Sequence, residues 1–165
     1  MKPLIALLVI ASMSAGQPRP TTIFAGGTWA AIDRGSSCEA LSRSVRIAAK
    51  GKVQATAGFA FTPDHRRWGE FHAHLRRVPR AGSSVMLQIG GQPFLLVARG
   101  DWAWSRGPLQ EQAIIAAMRN AAAMRVESRD SAGRRFADDY ALDGAPTAID
   151  AAAARCALRG AGKIP

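Results

Sequence analysis

A mainly β (α+β) fold is predicted for this chain: a single antiparallel β-sandwich-like or partial-barrel domain with two short helices packed on it. Three observations predict it. Apolar and polar residues alternate with period two through 52–61 and 68–77, as in strands with one buried face. Glycine- and proline-marked turns separate the apolar runs at short intervals. Helix-forming composition is confined to two stretches after Trp104.

The elements follow in order. Residues 1–16 carry one positive charge at Lys2, an apolar run over 4–11, and small residues at Ser14 and Gly16, the layout of a signal peptide cleaved after Gly16. The apolar run is too short for the ~30 Å hydrocarbon core of a bilayer, and no later segment is long and apolar enough, so no transmembrane segment is expected after signal removal. Residues 17–23, with Pro18 and Pro20, read as a flexible leader, and the single β-rich domain is expected over 24–160, followed by a tail at 161–165. An extended stretch surrounds Trp29, and Gly35-Ser36-Ser37 marks a turn before Cys38.

In 52–61 the residues Val53, Ala55, Ala57, Phe59 and Phe61 share one face, and in 68–77 so do Phe71, Ala73 and Leu75. Residues 63–67 suit a five-residue hairpin loop, and matching the apolar faces pairs Phe59 with Phe71 and Ala57 with Ala73. A second hairpin turns at Gly90-Gly91, with Val85, Leu87 and Ile89 on the same face as Phe94 and Leu96. Pro93 cannot donate to a ladder, so it is expected to point away from its neighbour or to lie at an edge. Pro108 opens a helix expected over 109–124, with Ile114 and Met118 in its buried stripe. Residues 124–129 and 134–142 form another strand pair around Ala132-Gly133. Pro146 opens the last helix, and Gly160 is its expected stop. Ile149, Ala153 and Cys156 fall on one helical face, turning Cys156 toward the core.

The two cysteines, 118 residues apart, most simply form one disulfide in an oxidising compartment, Cys38–Cys156. The chain-entropy model gives such a loop an upper figure of roughly 4–5 kcal/mol. The net charge of +10 suits polyanions, and export directs it toward anionic envelope or host-surface polymers rather than nucleic acid. Arginine-for-lysine and alanine-rich usage also follows from GC-rich coding, with no functional meaning.

From Gly90 to Cys156 the motifs run in a recognisable order. Pro93-Phe94-Leu95-Leu96 precedes Asp101-Trp102-Ala103-Trp104, then come Ala113 to Met118, Met124-Arg125-Val126, Ser131-Ala132-Gly133, Asp139-Tyr140-Ala141-Leu142 with Gly144, Ala148 and Cys156. This block resembles the invasion-associated locus B (IalB) proteins, small exported proteins of alphaproteobacteria. Upstream the resemblance rests on Trp29 and the position of Cys38. The chain departs from the family at Arg134-Arg135, where a Gly-Thr pair is frequent, and at Ala145, where an aromatic residue is. The resemblance implies a periplasmic, secreted or outer-membrane-associated protein with a mostly β fold, linked to host-cell invasion or the envelope but to no molecular activity.

No catalytic or cofactor motif stands out. His72 and His74 share a strand face with His65 in the adjacent loop, a pattern zinc accepts, but a solvated or partly covered polar face beside Glu70 and Arg76 accounts for them without metal. No Gly-x-Ser-x-Gly elbow is present, and Asp138 and Asp139 face opposite ways on a strand, so no cofactor or catalytic residue is assigned. The candidate anion-binding surface is Arg66, Arg67, Trp68, His74, Arg76, Arg77 and Arg80, against the simpler reading of a solvated face. Trp102 and Trp104 share a face and read first as core anchors, secondarily as a platform for a protein partner. The expected function is therefore a non-enzymatic binding role at the envelope. The alternatives are a periplasmic hydrolase acting on envelope polymers, which a polar cleft gathering His72 or His74 with a carboxylate and a serine would favour, and a structural or inhibitory module.

Overall fold

The computed structural model describes residues 19–162; the expected signal peptide, its expected cleavage site and residues 163–165 lie outside that range. The fold is mainly β. Ten antiparallel strands follow in the order β1 (Thr21–Gly26), β2 (Trp29–Asp33), β3 (Cys38–Arg43), β4 (Thr56–Phe61), β5 (Trp68–His74), β6 (Val85–Ile89), β7 (Gln92–Arg99), β8 (Trp102–Trp104), β9 (Ala123–Arg129) and β10 (Arg135–Ala141). Helix α1 (Pro108–Met118) lies between β8 and β9, and α2 (Ala145–Ala161) follows β10.

Across the sheet the strands run β1-β2-β3-β4-β5-β8-β7-β6-β9-β10. Strand β7 turns the corner: Gln92–Leu96 pair with β6, whereas Val97–Arg99 pair with β8. The far edge then returns to the start of the sheet. Asp139 of β10 accepts the Val45 amide just beyond β3 at 2.8 Å, and the Ala141 carbonyl accepts the Trp29 indole N–H at 2.9 Å. These bonds lie outside the strand ladders, so the sheet curls into a partial barrel rather than a fully closed one.

Closure depends on two tight turns. A Cβ on Gly27 would lie 2.3 Å from the Asp143 carbonyl oxygen, and one on Gly144 would lie 2.1 Å from that of Gly26. Only glycine lets the β1–β2 turn and the β10–α2 turn interlock so closely.

Helix α2 packs on β1, β2 and β3 with Ala148, Ile149, Ala152 and Cys156 buried. Cys156 is bonded to Cys38, as expected. Arg155 and Arg159 both reach the buried Asp33 carboxylate at 2.8 Å. Burial alone would raise that carboxyl, but hydrogen bonds from Gly35 and the two arginines outweigh it and hold it below the usual range.

The expected registers hold: Phe59 faces Phe71, Ala57 faces Ala73, and Leu87 faces Phe94. Gly90 and Gly91 both take positive φ, 53° and 85°, as a two-residue hairpin turn of this hand requires. Pro93 sits where β8 does not reach β7.

Several boundaries differ from expectation. The first strand begins at Thr21, so residues 21–23 belong to the sheet rather than to a leader. Strand β4 begins only at Thr56, and Val53 is exposed because 44–55 forms a loop held by hydrogen bonds to Gln54. Helix α1 stops at Met118, because the chain must turn within Arg119–Ala122 to enter β9. Gly160 does not stop α2, which continues to Ala161; a Cβ there would meet the Pro63 carbonyl oxygen at 2.7 Å, so its small size serves close approach instead. No helix among the described residues is long and apolar enough to cross a membrane.

Candidate functional site

Directly opposed residues of an antiparallel sheet share a face, so the pairings define the outer surface row by row. One row runs Arg43, Thr56, His74, Trp102, Arg99, and the next runs Ala30, Leu41, Gly58, His72, Trp104, Val97. The third holds Ile32, Glu39, Ala60 and Glu70. Across these rows lies a trough of about 1370 Å³.

Its shape follows from residue size. Gly58 has no side chain, and Leu41 folds into the vacant space: a Cβ on Gly58 would sit 2.5 Å from Leu41 Cδ2. Leu41 therefore lies low across β4, while rings rise on the other side. Trp102 stacks on His74 at 4.6 Å with planes 7° apart, and Trp104 stands 6.2 Å from Trp102 at 18°. His72 tilts against Trp102 at 6.0 Å. The wall is thus the rings of His72, Trp102 and Trp104, with His74 stacked on Trp102 beside them and Arg34 and Glu39 paired at one end beside Arg67 and Glu70.

The electrostatics follow from cover. Burial lowers the His72 imidazole below its usual value, with the Glu39 carboxylate opposing. Burial raises the Glu70 carboxyl, Arg67 opposing and Glu111 adding to the rise. A hydrogen bond of 2.9 Å to His74 holds the Asp101 carboxyl below the usual range.

The trough gathers His72, Glu39, Glu70, Ser42 and Ser44 into one polar cleft. Both serine hydroxyls are engaged elsewhere: Ser42 Oγ donates to the Thr28 carbonyl at 2.7 Å, and Ser44 Oγ donates to that of Arg46 at 3.0 Å. Asp138 and Asp139 do face opposite ways, the first fully buried and the second outward.

The seven residues of the expected anion surface do not form one patch. Arg66, Arg67 and Trp68 stand at the β4–β5 hairpin tip, where His65 stacks on Trp68 at 4.0 Å. They border a second hollow of about 780 Å³ between the tip, α1 and α2. His74 lies at the other end of β5, roughly 20 Å away at 3.3 Å per residue, where it stacks on Trp102 beside the trough. Arg76 places Nε 2.7 Å from the buried Asp138 carboxylate, although its N–H does not aim along that line. Arg77 pairs with Asp130 at 2.5 Å, and the Arg80 backbone N–H donates to Arg129. Two of the seven are therefore structural ion pairs.

Trp102 and Trp104 are not core anchors. They stand half-buried on the outer face, and the interior position between them belongs to fully buried Ala103. The signal for the trough was present in β4, whose outward positions Gly58 and Ala60 are too small to be an ordinary solvated face opposite His72 and Glu70.

Compared with protein-family models, with curated proteins and with solved structures, the chain shows no significant match.

Proposed function

We propose that this is an exported, non-enzymatic binding protein of the cell envelope, periplasmic or surface-associated and akin to the invasion-associated locus B proteins, which holds an extended anionic polymer in the outer-face trough. The observation that carries this reading is the aromatic wall. Stacked rings beside a low aliphatic floor offer a flat apolar surface for a chain of rings, with Arg43 and Arg99 at the ends of the Trp102 row for its anionic groups. The hairpin arginines Arg66 and Arg67 become an accessory surface.

Titration of intrinsic tryptophan fluorescence with lipopolysaccharide and with soluble peptidoglycan fragments tests it. Saturable quenching is expected, weakened at least tenfold by Trp104→Ala and by Thr56→Trp, which fills the trough. Equal binding by both variants and the parent protein would reject the trough as the site.

A hydrolase acting on envelope polymers is the second reading, favoured by the gathering of His72, Glu39 and Glu70 in one cleft. It requires turnover of such a polymer that His72→Gln abolishes. A module that binds another periplasmic protein would use exposed Val97 with Trp102 and Trp104, and would appear as a single partner in periplasmic pull-downs.

A further inference from the structure

Between the buried residues Ser44 and Ala55, the chain leaves the barrel wall and turns Val45, Ile47 and Val53 to solvent, 65%, 63% and 41% exposed. Single exposed aliphatic residues are ordinary, but three within nine residues call for an explanation. Arg43, Arg46, Lys50 and Lys52 are interleaved with them, and no aspartate or glutamate occurs from 40 to 63. None of these four cations lies within 4.0 Å of a carboxylate among the described residues. Asp139 touches the loop through its carbonyl, and its own carboxylate is engaged by Arg125 at 2.6 Å.

The exposure is built in. Gln54 Oε1 accepts the Ala48 amide at 2.8 Å, and its Nε2 donates to Ser44 Oγ at 2.9 Å and to the Arg46 carbonyl at 3.1 Å. Val45 is pinned by its amide to Asp139, and the Lys52 amide closes a turn onto Ala49. The loop is thus held in a shape that offers its aliphatic groups outward, with little ordering left to be done on contact.

We propose that this loop docks the protein on the surface of a bilayer containing anionic phospholipid. Val45, Ile47 and Val53 enter the acyl boundary, while Arg46, Lys50 and Lys52 sit at the level of the phosphates. Cations alone would serve a soluble polyanion equally well, and aliphatic residues alone any apolar partner. Their interleaving fits an interface that is apolar below and anionic above. Val45 and Ile47 also line the end of the trough, so docking brings its mouth to the membrane.

Co-sedimentation with vesicles tests this, using phosphatidylcholine alone and phosphatidylcholine with one quarter phosphatidylglycerol. Binding is expected to the second only, and to fall at least tenfold in 0.5 M salt. Ile47→Asp and the double variant Lys50→Glu, Lys52→Glu should each lower it at least tenfold with unchanged melting temperature, since these side chains are exposed. Trp104→Ala should leave it unaltered, which separates this surface from the trough. Equal binding to both vesicle types would overturn the proposal. So would heparin binding and vesicle binding that respond alike to Lys50→Glu, Lys52→Glu and not at all to Ile47→Asp, the signature of a soluble-polyanion site.

Discussion

Facing the interior, β4 and β5 set Ala57 against Ala73 and Phe59 against Phe71, all fully buried; facing outward, the same strands set Thr56 against His74 and Gly58 against His72. The inner partners are matched in kind. Phe59 meets Phe71 edge-on at 5.4 Å, and the small row of Ala57, Ala73 and Ala103 keeps the backbones flush. The outer partners are mismatched, small against ring, and the mismatch leaves the trough. One set of strands therefore carries a packed core on one side and a recess on the other, and stability and binding should respond to different substitutions.

The sharpest way to break that division is Phe59→Ala. Removing a fully buried aromatic side chain should cost about 3–5 kcal/mol, read as a shift in urea midpoint, whereas Trp104→Ala should affect binding far more than stability. A loss of stability as large for Trp104→Ala would show that the outer wall belongs to the core. Next in size is the Cys38–Cys156 bridge. Reduction, or Cys38→Ser with Cys156→Ser, should cost about 2–5 kcal/mol in thermal melts, yet leave fluorescence quenching by ligand intact below the melting point, because the bridge anchors α2 behind the trough.

The smallest expected effects are in pH. His72 has a folded pKa below its unfolded value of about 6.5, so its contribution is present above that value and is lost as pH falls through the folded pKa. The melting temperature should fall between pH 7 and pH 5, with a shallower slope in His72→Gln. Asp130 supplies a separate step. Burial would raise its carboxyl, but hydrogen bonds from Arg77 and Arg134 hold it down to about 2, so its contribution is present above the ordinary carboxylate range and disappears as pH falls toward 2. Asp130→Asn should remove that lower step and leave the His72 step in place.

Much of the frame was legible in the residues. Alternation in β4 and β5 fixes which side chains share a face, and one apolar match then sets the register, so Phe59 opposite Phe71 followed directly. Gly90-Gly91 and the inward turn of Cys156 were equally local in origin. Alternation does not say what covers a face. Trp102-Ala103-Trp104 looked like two anchors because the tryptophans are the larger residues, but their cross-strand partners are His74 and His72, and alanine takes the interior. The arginines misled for a similar reason. Arg76 and Arg77 adjoin the hairpin strand in sequence, but their carboxylates come from β10 and from the turn after β9, more than fifty residues away. Long-range partners of that kind have no local signature. Val53 extended the β4 alternation by chance, and the loop's dependence on Gln54 was visible only once the chain was folded.

The interlocked glycines have a kinetic meaning as well. Gly27 packs directly against the Asp143 carbonyl and Gly144 against that of Gly26, while Cys38 is bonded to Cys156. Each of these contacts joins the first strands to the last helix, so each closes a loop of more than a hundred residues. Contacts so distant along the chain make folding slow relative to local hairpins. The β4–β5 and β6–β7 hairpins can form early and independently, but the partial barrel closes only when α2 arrives. A chain ending before residue 143 should thus remain an open, unfinished sheet however long it is given to fold.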